Sequence, residues 1–317
     1  MILIATDEAG YGPKLGPLVV AATTWQLPDG FEHPHLQEAF GRVAGPQDLN
    51  GRSIRVDDSK AVFQPHSADG YGMLEKVTLA ACRWTGCEVD NVSLLKDLAE
   101  QDIQSVSAAP WLSDFATESV PVGDAGALVS LRETGSARLI GARARVLTAR
   151  QFNRQCDQGM NKSDLLSSTT LSLVKDSIDE LSGVEESNIA VFCDRHGGRR
   201  YYAGPIQASF DGTLVRVIQE SKTESSYRVP YTDGEFAIRF TVKGDAFTPV
   251  AFSSMIGKYL REKAMESLNA FFEKHHVGDG ALKPTAGYPV DADRFLADVA
   301  ETVADQGIAE SDLIRSR

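Results

Sequence analysis

Four acidic residues stand where short apolar runs of the chain stop. Asp7 and Glu8 follow "MILIAT", Asp194 closes "NIAVFCD", and Asp245 closes "EFAIRFTVKGD". Runs of this length and composition read as buried strands. If the strands are neighbours, their acids meet at one edge of a sheet. Carboxylates crowded together repel one another and retain protons. A divalent cation with oxygen ligands relieves the crowding, and Mg²⁺ keeps waters for a substrate. Two such ions can activate a water and stabilise the leaving oxygen of a phosphodiester. Any one strand-end aspartate alone is more often a turn or capping residue. The adjacent pair Asp7–Glu8 shifts the balance because a glycine-rich segment comes directly after it.

That segment is "AGYGPKLGP" (9–17), with three glycines and two prolines. Gly10 and Gly12 let a backbone approach a ligand closely and present N–H groups to it. The loop has neither the G-x-G-x-x-G spacing of a dinucleotide fold nor the Lys-Ser/Thr of a P-loop.

The elements that must position these residues alternate between strand and helix. Residues 2–6 and 18–25 read as strands joined by the glycine loop, and 30–72 as loop, including His33 and His35. A helix fits 73–84. The stretch 85–150 has Pro and Gly punctuation and weak periodicity, as expected of an insertion or small subdomain. It ends in a basic run with Arg138, Arg143, Arg145, Arg150 and Arg154. The run reads first as a charged strand edge and second as a nucleic-acid contact. Leu171, Val174, Ile178 and Leu181 place a helix over 162–183, with Ser163 as cap and Gly183 as stop. Strands fit 188–194 and 235–245, the latter with Phe236, Ile238, Phe240 and Val242 on one face. A helix from Pro249 to about 273 carries Phe252, Ile256, Tyr259, Lys263 and Ser267 along one stripe, and a last helix spans 291–306. The pattern is α/β with a mixed sheet. The core falls in two parts, 1–84 and 151–273, around the insertion, with a helical extension over 274–317.

A chain of 317 residues can bury a sizeable core. Its formal net charge of −12 restricts any nucleic-acid binding to a local basic patch. Cys82, Cys87, Cys156 and Cys193 form no C-x-x-C pair, which suggests reduced thiols and a cytoplasmic setting. The start meets an acid too early for a signal peptide, and no apolar run approaches the roughly 20 residues of a membrane helix.

With these residues in view, "DEAGYGPKLGPLVVAA" (7–22) resembles "DEAGRGPLAGPVVAAA", the opening of the type 2 ribonucleases H (ribonuclease HII). Three further segments and a strand agree in the same order. "VDDSKAVF" (56–63) resembles the family's "DSKKL", and "IAVFCD" its strand ending in the third acid. "VKGDAFTPVAFSSMIGKYLRE" (242–262) resembles "VKGDSxxPxxAAASILAKVxRD", and "AGYPVDADRF" (286–295) resembles "KGYPTxxHL". The resemblance implies an RNase H-like mixed β-sheet flanked by helices. It implies an endonuclease that cuts the RNA strand of RNA–DNA hybrids, or a ribonucleotide embedded in duplex DNA, by two-metal hydrolysis leaving a 3′-hydroxyl. Asp7, Glu8, Asp194 and Asp245 would hold Mg²⁺ or Mn²⁺. Gly10, Tyr11 and Gly12 would read the ribose 2′-hydroxyl through backbone groups. Lys60, Ser254 and Tyr288 would also meet the substrate, Tyr288 against the sugar beside the junction, while Lys258 braces its helix. A monomer is expected. Tyr11 departs from the family, which has Arg or Lys there, and Asp291 and Asp293 occupy the region of its His. Arg195, Arg199 and Arg200 come after Asp194 as extra cations, for phosphate contact or for a solvated turn. Two other readings stay open: a hybrid-binding module without turnover, and a metal phosphoesterase retuned to another nucleic acid.

Overall fold

The computed structural model describes residues 1–28, 36, 39–40, 47–49, 52–54, 56–57, 59–63, 68–86, 90–122, 137–181, 189–232, 234–278 and 280–316. His33, His35, Asp58 and Cys87 lie outside them. The two longest apolar runs of the N-terminal region become β1 (Ile2–Ala9) and β2 (Leu18–Gln26), each buried along nearly its whole length. Five more strands complete their sheet: β3 (Arg138–Leu147), β4 (Ile189–Asp194), β5 (Arg216–Glu220), β6 (Glu224–Tyr231) and β7 (Gly234–Thr241). The spatial order is β3-β2-β1-β4-β7-β6-β5. β1 lies antiparallel to β2 and parallel to β4, and β4 is parallel to β7; the outer pairs are antiparallel.

Helices cover both faces, which is why the central strands are apolar throughout. Leu3, Ala5, Val19 and Ala21 face α1 (Ala68–Trp84) and α5 (Thr248–His275). On the opposite face Ile2, Ile4, Val191 and Ile238 meet α3 (Lys162–Asp179) and α4 (Ala203–Ser209). The short helix α2 (Ala149–Asp157) leads into α3, and α6 (Pro289–Asp298) belongs to the C-terminal part. This is an α/β fold, one mixed sheet with helices on both faces. Among the described residues, no helix is long and apolar enough to cross a membrane.

Several boundaries differ from the sequence expectation. β1 continues to Ala9, so Asp7 and Glu8 lie within the end of the strand. The stretch 85–150 contributes more than an insertion, because residues 138–147 pair with β2 from Leu18↔Leu147 to Gln26↔Arg138 as a sheet edge. Described residues of the stretch around Trp111 also pack on α5, where Ser267 Oγ donates to the Trp111 carbonyl (3.0 Å). The hairpin of β5 and β6 comes from a stretch in which no element was expected. β7 stops at Thr241, and Val242, expected inside, is 44% exposed. Asn161 rather than Ser163 caps α3, its side chain accepting from Asp164 N (2.9 Å). The last helix breaks at Val299 into α6 and a short helix, Ala300–Asp305.

Candidate metal centre and substrate loop

The parallel register of β1 and β4 sets Thr6 beside Cys193, so the next residue of each strand, Asp7 and Asp194, emerges at one edge. Asp7, Glu8 and Asp194 each present a carboxylate oxygen within 4.8 Å of the others. Asp7 is 8% exposed. Burial and the neighbouring Asp194 raise its carboxyl to about 8, against hydrogen bonds from Ser254 and the Glu8 amide that lower it. Burial, Asp7 and Asp194 likewise push Glu8 well above the ordinary carboxylate range, and the charge of Lys60 pulls it back. Asp245 sits in a turn of 3-10 helix, Gly244–Ala246, entered through Lys243 at φ +57°. Its charge reaches Asp7 and raises it further, but it stands outside the 4.8 Å group of three.

Small residues hold this edge in place. Ser253 Oγ donates to the Ala5 carbonyl (2.9 Å) and meets Thr23 Oγ1 (3.0 Å), which pins α5 across β1 and β2. The next residue, Ser254, is 4% exposed; its hydroxyl is hydrogen-bonded to Asp7 and has Ser59 Oγ as a second partner at 2.9 Å. Ser254, a candidate phosphate or structural partner from the sequence, lies beside the acids, where its hydroxyl orients Asp7. Asp194 Oδ1 accepts from Gly244 N (2.7 Å), and a Cβ on Gly244 would come within 3.0 Å of Asp194 Cα. Sequence reasoning missed Ser59 and Gly244 as supports. The adjacent "DSK" and "KGD" motifs were the available signal.

Three buried or half-buried carboxylates without a neutralising cation cannot all be ionised. Oxygen donors of this kind suit Mg²⁺ or Mn²⁺. Burial pushes the thiol of Cys193, next in β4, up to about 12. The donor set fits a hard divalent cation.

The glycine loop borders the acids. Gly10 has φ +83°, and a Cβ there would meet Arg261 Nε at 2.5 Å and the Pro17 carbonyl at 2.7 Å. Only glycine fits such a position. Gly12 is exposed, and its Cβ direction points at Tyr288 Cε1, 3.9 Å away. Tyr288 is 53% exposed at the start of α6. Tyr11 is half-buried; Lys162 Nζ lies 4.6 Å from its ring centroid, and Gly197 backs the ring. Lys60 is exposed on the short helix Ser59–Val62. Lys258 pairs with Glu262 along α5 (2.5 Å), as a helix brace does.

The other cations are largely committed elsewhere. Arg143 pairs with Glu180, Arg150 with Asp312, and Arg145 with the buried Asp102. Arg195 is buried and donates to the Lys222 carbonyl (2.6 Å) and the Ser221 carbonyl (3.1 Å). Arg199 pairs with Asp164 and donates to Ser163 Oγ (2.9 Å). Arg200 alone of that trio is exposed.

No protein-family model matches the chain, and no curated protein does. Among solved structures it is similar to the ribonuclease H2 of Pyrococcus horikoshii OT3, at 14% identity over 99% of this chain and 92% of that one, with a TM-score of 0.49. It is similar to Bst-RNase HIII in complex with Mn²⁺, at 14% identity over 99% and 66% of the two chains, with a TM-score of 0.44. The RNase HII of Archaeoglobus fulgidus, from its complex with PCNA, gives 13% identity over 100% and 95%, with a TM-score of 0.41. All three are ribonucleases H.

Proposed function

We propose that the protein is a metal-dependent endoribonuclease of the ribonuclease H class, type 2, acting on RNA–DNA hybrids or on ribonucleotides embedded in duplex DNA. The observation that carries this reading is the meeting of Asp7, Glu8 and Asp194 at one sheet edge, beside a loop whose glycine backbone is open to a ligand. Asp7, Glu8 and Asp194 would hold Mg²⁺ or Mn²⁺, with Asp245 completing the set from the facing turn. A cation held there supplies a Lewis acid for water activation and for charge on the phosphate. Asp7, fixed by Ser254 and by the Glu8 amide, sets the geometry of the centre. The charge of Lys60 partly offsets the burial and repulsion that favour the protonated form of Glu8. The backbone of Gly10–Gly12 contacts the ribose 2′-hydroxyl, the group that separates RNA from DNA, and the exposed ring of Tyr288 flanks the sugar beside it. The motif resemblance over 7–22 and 242–262 supports the same assignment.

A panel of labelled duplexes tests the reading in Mg²⁺ and in Mn²⁺: an RNA–DNA hybrid, a single ribonucleotide in DNA, plain DNA and single-stranded RNA. Cleavage confined to the first two, with 3′-hydroxyl ends, is the expected result. Cleavage of plain DNA or single-stranded RNA instead would make the protein another phosphoesterase. Binding of the hybrid without cleavage in either ion would make it a binding module.

A further inference from the structure

The glycine loop Gly10–Pro17 is fastened from three sides, and one of them is the C-terminal tail. From the segment before α6, the Gly287 carbonyl accepts from both Lys14 N (2.8 Å) and Leu15 N (3.2 Å). From α5, Arg261 lies directly under Gly10 and donates to the Ala286 carbonyl (2.9 Å). From the tail, Ile314 forms a β-bridge with Leu15 and Arg315 N donates to the Lys14 carbonyl (2.9 Å). The Arg315 guanidinium donates to the Pro13 carbonyl.

The tail is itself bolted to α2. Asn153 Nδ2 donates to the carbonyls of Ser311 and Ile314, both at 2.7 Å, and Asn153 Oδ1 accepts from Ser316 N (2.6 Å). Arg315 is 3% exposed, with its guanidinium 5.3 Å from the centroid of Phe152. Its Nε and Nη1 have no partner, and Nε of Arg261 has none either. Buried, incompletely satisfied guanidinium groups are costly to a fold. Stability alone does not explain putting two of them beneath one loop, since apolar side chains would fill the space more cheaply. What Arg315 does here and an apolar residue cannot is fix the Pro13 carbonyl of the loop, as Arg261 fixes the Ala286 carbonyl of the neighbouring segment.

We propose that Arg315, with the tail Ile314–Ser316, is a positioning element for the substrate loop: it holds Gly10–Gly12 at the level where their backbone meets the ribose next to the acid centre. The inference rests on the function proposed above. The hydrogen bonds and bridge from the tail to the loop fall on Pro13, Lys14 and Leu15, so it acts on Gly10–Gly12 through the loop backbone.

Hydrogen exchange and steady-state kinetics on the full chain test this together. In Arg315→Met, exchange of the peptide covering residues 10–17 should rise about tenfold, the scale of one or two lost hydrogen bonds, while peptides from β1 and β4 stay unchanged. KM for an RNA–DNA hybrid should rise with the loop's exchange, and kcat should hold within about twofold, as uniform binding is lost. Arg315→Lys, which can still donate to the Pro13 carbonyl, should recover most of both. Asn153→Ala, which frees the tail without touching the loop, should reproduce the loop exchange of Arg315→Met and guards against misfolding of the first variant. Unchanged loop exchange in Arg315→Met and Asn153→Ala would overturn the proposal, as would faster exchange with unaltered KM. If the wild type cleaves no ribonucleotide-containing duplex, the proposed function fails, and the exchange result still decides whether the tail holds the loop.

Discussion

Asp7 carries the sharpest expectations at the scale of single residues. Asn in its place keeps the shape and the Glu8 amide contact but removes a charge from the cation site. Asp7→Asn should lower cleavage on the order of a thousandfold, the worth of several kcal/mol of Lewis-acid stabilisation. Single-turnover cleavage checks this, and near-normal turnover would remove Asp7 from the centre. The same residue should govern the stability of the metal-free protein. Its folded carboxyl titrates at about 8, and its unfolded one at about 3.9. Between those values the folded state binds the extra proton, so stability is highest below about pH 4 as far as this group is concerned, and falls as pH rises to about 8. Thermal melts in chelator at pH 5, 6, 7 and 8 should show that decline. In Asp7→Asn the decline should be shallower, with the gain over wild type largest at pH 8. Equal slopes in the two proteins would mean that neither burial nor Asp194 raises the Asp7 carboxyl in the free protein.

At the scale of elements, the edge strand β3 depends on one buried acid. Asp102 accepts from Val146 N (2.7 Å), Arg145 Nε (3.0 Å) and Arg145 Nη2 (3.2 Å), and its side chain is 1% exposed. Removing it strands an arginine and a backbone donor. Asp102→Ala should cost about 3–5 kcal/mol, as breaking a buried pair does, measured by urea denaturation; a loss under 1 kcal/mol would show that water takes over the role. This bond also explains where the sequence was opaque. β1, β2, β4, β7 and α5 were legible because continuous apolar runs or strict alternation mark strands, and Pro249 marks a helix start. β3 was not, because Arg143 and Arg145 interrupt its apolar pattern, and the partner of Arg145 lies 43 positions away. β5 is exposed along its whole length and has no buried face to produce alternation. β6 does alternate, with Ser225, Tyr227 and Val229 buried, yet a Ser and a Tyr at inward positions disguise it. In the site, Asp7, Glu8 and Asp194 could be read from strand ends, whereas Asp245 lies past the end of β7 in a 3-10 turn and was marked by motif order alone. The turn of Ser254 towards Asp7 could not, because a serine in a helix carries no sequence mark of the face it presents.

For the whole molecule, the proposed function requires that a chain with a net charge of −12 hold a polyanion. Most of its arginines with described partners are used internally, in pairs such as Arg143–Glu180, Arg150–Asp312 and Arg199–Asp164. Around the loop, Lys14 pairs with Asp293 (2.5 Å) and Lys162 packs on Tyr11. On the proposed function the phosphate contacts would therefore be few, and cations bridging the acids to the substrate would supply much of the attraction. Each neutralised phosphate contributes about −0.9 to the slope of log K against log salt. With two or three contacts, hybrid binding should give a slope of about −2 to −3, and chelation should weaken binding as well as stop cleavage. Tyr11→Arg should steepen the slope by about one unit and tighten binding at low salt, because a guanidinium adds a charge-assisted bond that a phenol cannot. Fluorescence anisotropy of a labelled hybrid across a salt series measures all three. A wild-type slope steeper than about −5 would require an extended basic face that the described residues do not provide. Weaker binding by Tyr11→Arg with no change of slope would mark Tyr11 as a residue selected for a different nucleic acid.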